Sequence, residues 1–127
     1  MGILVEWDND ARTIIRYTFA SEWTVEEFFE AFPKADHMIR ASSTRIIGII
    51  VDDSREIIPP QGAMSAFKQT VRIGRLPIVF VAASMASRSM METLYKSYRG
   101  NRPMYYVATL DAARHLLYEK YGVASEA

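Results

Sequence analysis

The run from Arg45 to Ser54 constrains the fold more than any other part of the sequence. Residues 46–51 are only isoleucine, glycine and valine, and the run then changes abruptly to Asp52, Asp53 and Ser54. An uninterrupted apolar run of this length predicts a strand covered on both faces, as in a parallel sheet. Ligands of open α/β sheets bind just beyond the carboxyl ends of such strands. We therefore expect functional groups at Asp52, Asp53 and Ser54.

Strand and helix patterns alternate along the chain. Two strand-like runs, 2–7 and 12–19, flank the turn-forming Asp8-Asn9-Asp10 and predict an antiparallel hairpin. Further apolar runs predict strands at residues 46–51, 77–83 and 104–108. Helices are predicted over residues 24–41, from Pro59 and Pro60 to Gly74, from Ser89 to Gly100, and over 111–121. The order β-β-α-β-α-β-α-β-α predicts an α/β sandwich of two or three layers with a mixed five-stranded sheet, because right-handed crossovers make the later strands parallel.

Signals for helix ends sharpen two of these predictions. Thr24 and Glu27 have the spacing of a capping box, and so do Ser89 and Glu92. Pro33 falls inside the first helical segment. We expect it to interrupt or kink that helix, because proline removes a hydrogen-bond donor and clashes with the preceding turn.

Length and composition limit the classes of function. The 127 residues predict one domain over residues 1–123, with a frayed tail over 124–127. Fifteen basic residues balance fifteen acidic ones, which argues against nucleic acid as a partner. The chain has no cysteine, so disulfides, thiol nucleophiles and thiolate metal sites are excluded. No targeting segment or run of about 20 apolar residues is visible, so we expect a cytoplasmic protein without a membrane span.

The residues best suited to catalysis lack a recognisable pattern. Asp52 and Asp53 are neighbours in a strand and should point to opposite faces. The structural interpretation is that one of these two aspartates caps backbone amides and the other is solvated. The functional alternative is that they form a divalent-metal or phosphoacceptor site. His37 and His115 lack a partner in any known catalytic arrangement, and we expect them at the surface or its boundary. No cofactor and no enzymatic activity are predicted.

Two rims of the predicted sheet could bind ligands. Ser84, Met85 and Ser87 follow the next strand and should join Asp53 and Ser54, where a small apolar or amphipathic ligand could lodge. Four arginines lie near the carboxyl ends of the second and third helices: Arg72, Arg75, Arg99 and Arg102. They either complement helix dipoles or form an anion-contacting patch on the opposite rim.

The chain resembles the SpoIIAA-like (STAS, including STAS/SEC14-type) domain family over nearly its whole length. The resemblance rests on the element order, on Trp23-Thr24-Val25-Glu26-Glu27, on Asp52 and Ser54, and on Thr109-Leu110-Asp111-Ala112-Ala113. It implies a SpoIIAA-like fold and a role in binding rather than turnover. Members that antagonise anti-sigma factors carry a phosphorylated serine before the second helix, where this chain reads Pro60-Gln61-Gly62-Ala63. A phosphorylation switch is therefore not implied.

Three functions follow as hypotheses. The leading one is a non-enzymatic regulatory domain that binds an unknown protein through residues 53–62, where Ile57 and Ile58 form an apolar segment. The alternative is a small-molecule or lipid-binding module that uses the rim after strands 3 and 4. The third is a hydrolase or metal enzyme that combines an aspartate of this rim with a histidine. We also expect a homodimer, in which Trp7 and Trp23 beside the hairpin could anchor the contact; the alternative for these tryptophans is core packing against the first helix.

Overall fold

Strands and helices alternate in the computed structural model, which describes residues 2–55, 60–71, 74–82, 84–98, 100 and 102–122. The strands are β1 (Ile3–Trp7), β2 (Ile14–Phe19), β3 (Gly48–Asp52), β4 (Ile78–Val81) and β5 (Met104–Val107). The helices are α1 (Val25–Ala41), α2 (Ala63–Val71), α3 (Met85–Ser97) and α4 (Leu110–Leu117), and a π-helical turn over Tyr118–Gly122 extends α4. The predicted element order is confirmed. The predicted tail, 124–127, lies outside the described residues.

The strands form one sheet in the order in which they occur along the chain. β1 pairs with β2 in antiparallel fashion, while β2, β3, β4 and β5 are parallel to one another. In the parallel register Ile14 lies opposite Gly48, and Ile49 lies opposite Ile78. The mixed five-stranded sheet predicted from the sequence is thereby confirmed, and the parallel crossovers bring the carboxyl ends of β2 to β5 to one edge.

Strand alternation divides the apolar side chains between two cores. On one face, Ile15 and Tyr17 of β2 pack with residues of α1, α2 and α3 such as Phe28 and Phe67. On the other face, residues of β2, β3 and β4 pack with those of α4: Ile14, Ile50, Val79, Val81, Ala113 and Leu117. The result is three layers, with three helices over one face of the sheet and α4 over the other. None of the described helices is long and apolar enough to cross a membrane.

Pro33 does not interrupt α1, contrary to the prediction. The helix is continuous from Val25 to Ala41, and Pro33 is exposed. Phe28 and Ala31 before the proline and Ala35 after it are all buried. Packing of this inner face holds the helix together on both sides of Pro33, while the proline lies on the outer face, where water can hydrate the carbonyl one turn earlier.

The starts of two helices differ from the predictions. α3 begins at Met85, because the Ser84 hydroxyl caps it by accepting a hydrogen bond from the backbone N–H of Ser87 at 3.0 Å. The capping box predicted at Ser89 is therefore wrong. α2 begins three residues after Pro60, whose carbonyl accepts from the N–H of Ala63, so Pro60 precedes the helix. Pro59 lies outside the described residues.

The carboxyl end of the last helix changes from α to π geometry. The N–H of Tyr118 is shared between the carbonyls of Arg114 and His115, a three-centre hydrogen bond common at helix ends, and the π-helical turn begins at this residue. The hydroxyls of Tyr121 and Tyr105 lie 2.7 Å apart, so a contact with β5 accompanies the wider turn. The helix predicted over residues 111–121 is present, and its last turn has π rather than α geometry.

Trp23 belongs to the core rather than to an exposed anchor of a dimer. It is 5% exposed and makes an edge-on contact with the ring of Phe19, at 4.7 Å between centroids. Trp7 is partly buried and packs against the same core. The alternative role expected for these tryptophans, packing beneath α1, is the one that the structure supports for Trp23.

Candidate functional site

The two aspartates after β3 have different roles. Oδ1 of Asp52 accepts hydrogen bonds from the backbone N–H of Ser54 at 3.1 Å and from its hydroxyl at 2.6 Å. This turn confirms that one aspartate caps backbone amides. Asp53, expected to be solvated, is instead fully buried. Its N–H donates to the carbonyl of Val81 at 2.9 Å, so pairing with β4 continues through Asp53 and keeps it inside the fold.

The serines after β4 are used by the start of α3. The hydroxyl of Ser84 donates to that of Ser87 at 2.9 Å, and Ser87 is fully buried. Met85, between them, is 85% exposed. Ile57 and Ile58 lie outside the described residues. The predicted rim thus contains a local turn, a buried carboxyl group, a helix cap and an outward methionine, all near the carboxyl ends of β3 and β4.

The histidines are exposed, as expected from the sequence. Nε2 of His115 lies 2.8 Å from a carboxylate oxygen of Glu119, and the two side chains are 80% and 69% exposed. His37 is exposed on α1. Within the described ranges, no group of three or more histidine, aspartate or glutamate side chains is arranged to hold a metal ion.

A cavity lies at the opposite edge of the sheet, between the second half of α1 and the amino-terminal ends of β3 and β4. Its volume is about 190 Å³, and a deeper space of about 30 Å³ adjoins it. Both spaces share four lining residues: Tyr17, Phe32, Ile49 and Arg102. The rest of the larger wall consists of Ala35, Asp36, Ile39, Gly74, Arg75 and Leu76. The wall is mainly apolar and carries a few polar groups, as in small-molecule sites.

Arg102 is the buried cation of this cavity. It is 9% exposed and precedes β5 by two residues. Its Nε donates to the carbonyl of Leu76 at 2.7 Å, and Nη1 makes two long contacts, each 3.5 Å, with the carbonyls of Thr70 and Val71. Within the described residues, Nη2 has no hydrogen-bond acceptor and Arg102 has no carboxylate partner. Burial lowers the pKa of Arg102 from its usual value, since the charged form loses hydration.

Tyr17 supplies a second buried polar group. It is 4% exposed, and in the described part of the chain its hydroxyl makes no hydrogen bond. Burial raises the pKa of Tyr17, an effect that the nearby charge of Arg102 partly opposes. The hydroxyl therefore stays protonated at neutral pH and can donate a hydrogen bond. Tyr17 and Arg102 both line the larger and the deeper space.

Small residues make room for these groups. Ala35 faces the cavity from the buried side of α1, where a larger side chain would fill the space. A Cβ atom at Gly74 would lie 2.8 Å from Nη1 and 3.1 Å from Nη2 of Arg102. Gly74 therefore permits the guanidinium group to lie flat beneath the backbone, because any side chain at this position would push it aside.

The mouth of the cavity carries charges of both signs. Asp36 is engaged by Arg40, whose Nε lies 2.9 Å from its carboxylate. Arg75 is exposed beside it. The acid at the entrance thus pairs with an arginine of its own helix, although its charge still contributes to raising the pKa of Tyr17, while the cation in the interior pairs with no described carboxylate.

The sequence singles out Arg102 for its position near a helix end, and not for burial. It is one of four arginines expected there, with an anion-contacting patch as the alternative. Two of the four, Arg72 and Arg99, lie outside the described residues. Arg75 and Arg102 do line one cavity, but Arg102 is buried rather than displayed on a rim. Tyr17 gave no functional signal, because alternation in β2 predicts only that it faces the core.

Comparison of the chain with models of known protein families, with curated proteins and with solved structures gives no significant match. The fold and the cavity define a mixed α/β sandwich with a small, largely apolar site that contains a buried arginine and a buried tyrosine hydroxyl.

Proposed function

We propose that this protein is a non-enzymatic binding module that takes a small organic molecule into the cavity between α1 and the sheet. The observation that carries the proposal is the pair of buried polar groups, Arg102 and Tyr17, on an otherwise apolar wall. Buried polar groups are normally satisfied by hydrogen bonds, so a cavity with spare donors favours a polar occupant. The proposed site lies at the other end of the sheet from the rim expected to bind a small molecule or lipid.

The chemistry of the two groups supports binding rather than turnover. A guanidinium group stays protonated in proteins, and the pKa of the Tyr17 hydroxyl is raised by burial. Neither group can act as a base or nucleophile at neutral pH, but both can donate hydrogen bonds. The proposal keeps the STAS-like assignment and the cytoplasmic location expected from the sequence, without a phosphorylation switch.

Filling the mouth of the cavity tests the proposal. In Ile39→Trp, a larger side chain occupies the space. The matched control Leu116→Trp changes a partly buried leucine of α4, on the other face of the sheet. We expect neutral probes such as benzamide and benzyl alcohol to shift the amide NMR signals of Ile49, Leu76 and Gly74 in the wild type and the control, but not in Ile39→Trp. Absence of cavity shifts in the wild type with every probe, neutral or charged, would contradict the proposal.

Protein binding, the leading expectation from the sequence, is the second candidate. Its support is an open groove between α2 and α3 that contains Met64 and Met90. Among the described residues that line it, Lys68 is the only charged one. Met85, 85% exposed, begins α3. Methionine side chains adapt to varied apolar partners. The groove therefore suits a partner segment with a large apolar side chain beside a carboxylate that pairs with Lys68.

A charge reversal tests this second candidate. We expect a short peptide with leucine beside glutamate to shift the NMR signals of Met64, Lys68 and Met90, and the same peptide with lysine in place of glutamate to shift them less. Lys68→Glu should reverse that preference. Equal responses to both peptides in both proteins would remove the groove as a specific docking site.

A further inference from the structure

We propose that the ligand of the cavity is a small organic monocarboxylate, bound through Arg102 and the hydroxyl of Tyr17. This inference rests on the proposed function, because it names the chemical class of the molecule in the same cavity. Three properties of the site carry it: an interior cation without a described counter-charge, a second donor beside it, and a restricted volume.

The hydrogen bonds of Arg102 explain why an anion fits. Nε and Nη1 are directed to the carbonyls of Leu76, Thr70 and Val71, which hold the guanidinium group in place. These carbonyls are dipoles and do not neutralise its charge. Nη2 has no acceptor within the described residues. Leaving a buried charge uncompensated is costly, and a carboxylate both neutralises a guanidinium group and accepts its N–H bonds with matched planar geometry.

Tyr17 supplies the second hydrogen bond. Its hydroxyl lines the same cavity and is protonated at neutral pH. The two groups are close enough for the charge of Arg102 to lower the pKa of Tyr17 and for Tyr17 to influence that of Arg102. A carboxylate has two oxygens, so one can accept from Arg102 and the other from Tyr17. A neutral amide would offer one oxygen and would bring an NH₂ group toward two donors.

The charges around the cavity favour a single negative charge. Arg102 is the only cation buried in the wall as described, and it can balance one unit of charge. Asp36 lies at the entrance, where Arg40 engages it, and Arg75 is exposed beside it. A phosphate dianion would need a second interior cation, whereas the other arginine of the wall, Arg75, is exposed. The apolar walls instead suit a hydrocarbon group attached to the carboxylate.

The volume restricts that hydrocarbon group. A cavity of about 150 Å³ can hold benzene, and this one measures about 190 Å³ with a further 30 Å³ beyond it. An aromatic ring or a short aliphatic chain with a carboxylate therefore fits. A long-chain fatty acid exceeds this space, so the site should discriminate by length as well as by charge.

Matched pairs of probes test the inference. Benzoate and hexanoate carry the carboxylate, while benzamide and hexanamide are neutral molecules of nearly the same shape. With amide NMR titration at neutral pH, we expect the wild type to bind each carboxylate at least about tenfold more tightly than its amide, in keeping with charge-assisted hydrogen bonds. Shifts should centre on Ile49, Leu76 and Gly74. Palmitate should leave these signals unchanged.

Variants separate the roles of the two donors. Tyr17→Phe keeps the ring and removes only the hydroxyl, and we expect it to weaken carboxylate binding about fivefold to tenfold with little effect on the amides. Arg102→Lys should remove most of the preference for carboxylates. The control Arg45→Gln changes an exposed arginine that bonds the carbonyl of Tyr121, and it should retain wild-type affinity.

The outcomes distinguish this inference from the proposed function. Equal binding of carboxylates and amides in the cavity would overturn the inference and leave the proposed function intact. A carboxylate preference that survives unchanged in Tyr17→Phe and Arg102→Lys would also overturn it. If neither class perturbs the cavity signals, the proposed function fails together with the inference. Should Arg102→Lys fail to fold, Tyr17→Phe alone decides the result.

Discussion

Arg114 holds Asp8 through two parallel hydrogen bonds, with Nε 2.9 Å from Oδ2 and Nη2 2.9 Å from Oδ1. Asp8 follows β1, Arg114 belongs to α4, and the side chain of Asp8 is only 1% exposed. Arg16 of β2 donates to the same carboxylate and also pairs with Glu6. The carboxylate of Asp8 thus joins the hairpin to the helix on the far face of the sheet.

We expect Asp8→Asn to lower the free energy of unfolding by about 3 kcal/mol, because it leaves two arginines facing a neutral group in a largely buried position. Urea denaturation measures this change. The matched control is Asp111→Asn, since Asp111 contacts Arg114 at 3.4 Å but is 96% exposed. The control should change stability by less than about 0.5 kcal/mol. Similar values for both variants would contradict a special role for Asp8.

The same carboxylate should make stability depend on acid pH. Burial alone would raise the pKa of Asp8, but hydrogen bonds and charge from Arg114 and then Arg16 outweigh it and lower the pKa below its usual value. The folded protein therefore binds this proton less readily than the unfolded chain. The stabilisation is present above the unfolded pKa of about 3.9 and is lost as pH falls through the folded pKa.

Unfolding by urea at several values between about pH 5 and pH 2 tests this dependence. We expect the wild type to lose more stability over this interval than Asp8→Asn, which cannot titrate at that position. Asp111→Asn should retain the steep wild-type profile. Parallel profiles for the wild type and Asp8→Asn would show that other groups govern the acid response.

Close packing between Gly48 and Leu117 gives a prediction about α4. A Cβ atom at Gly48 would lie 2.5 Å from Cδ2 of Leu117 and 3.2 Å from the carbonyl of Pro77. We expect Gly48→Ala to destabilise the protein by about 1–3 kcal/mol, because this core has no room for the methyl group. In Gly48→Ala/Leu117→Ala, the loss should be smaller than the sum of the two single variants, measured in a double-mutant cycle. Strict additivity would contradict the proposed clash.

Gly74 should control affinity in the cavity. Because a Cβ atom there would lie 2.8 Å from Nη1 of Arg102, we expect Gly74→Ala to displace the guanidinium group and weaken benzoate binding about tenfold. Benzamide binding should change less. The control Gly62→Ala lies at the opposite end, where a Cβ atom would meet only Val25 at 3.6 Å, although its φ of +89° adds backbone strain. Unchanged benzoate affinity in Gly74→Ala would contradict this role.

The expected homodimer would use β1, because this strand is an edge of the sheet and Leu4 on it is 51% exposed. We expect light scattering to show a mass that rises toward twice that of the chain with concentration. Leu4→Lys should keep the protein monomeric, and the control Tyr95→Lys, which changes a residue of α3 that is 50% exposed, should not. A monomer mass at every concentration would remove the dimer.

The sequence predicted the fold better than the candidate site. The run 46–51 and the alternation around it were sufficient for the order of elements and for a mixed five-stranded sheet, because strand period and the hand of crossovers follow local rules. Pro33 indicated an interruption inside α1 and Ser89 indicated a later start for α3, but packing of Phe28 and Ala35 and the cap at Ser84 outweighed these local signals. Core packing depends on residues that are distant in sequence, and the start of α3 depends on which of two nearby serines caps it. A local pattern decides neither.

The cavity could not be located from sequence for a related reason. Arg102 and Tyr17 are 85 positions apart, and nothing local distinguishes a buried arginine from one at the surface. The polar cluster after β3 was conspicuous because Asp52, Asp53 and Ser54 interrupt an apolar run. Interruption of a pattern marks the end of a strand, whereas a cavity depends on which side chains are too small to fill it, such as Ala35 and Gly74.

The strand order has a consequence for how the protein is made on the ribosome. Because each strand pairs with the one synthesised just before it, every new strand–helix unit can add to an edge that already exists. Arg102 emerges only after β4 and α3, whereas Tyr17 emerges with the first hairpin. Nascent chains that stop before Arg102 could therefore assemble most of the sheet yet would lack the cation of the cavity, so the proposed ligand could be captured only after the segment that precedes β5 has been synthesised.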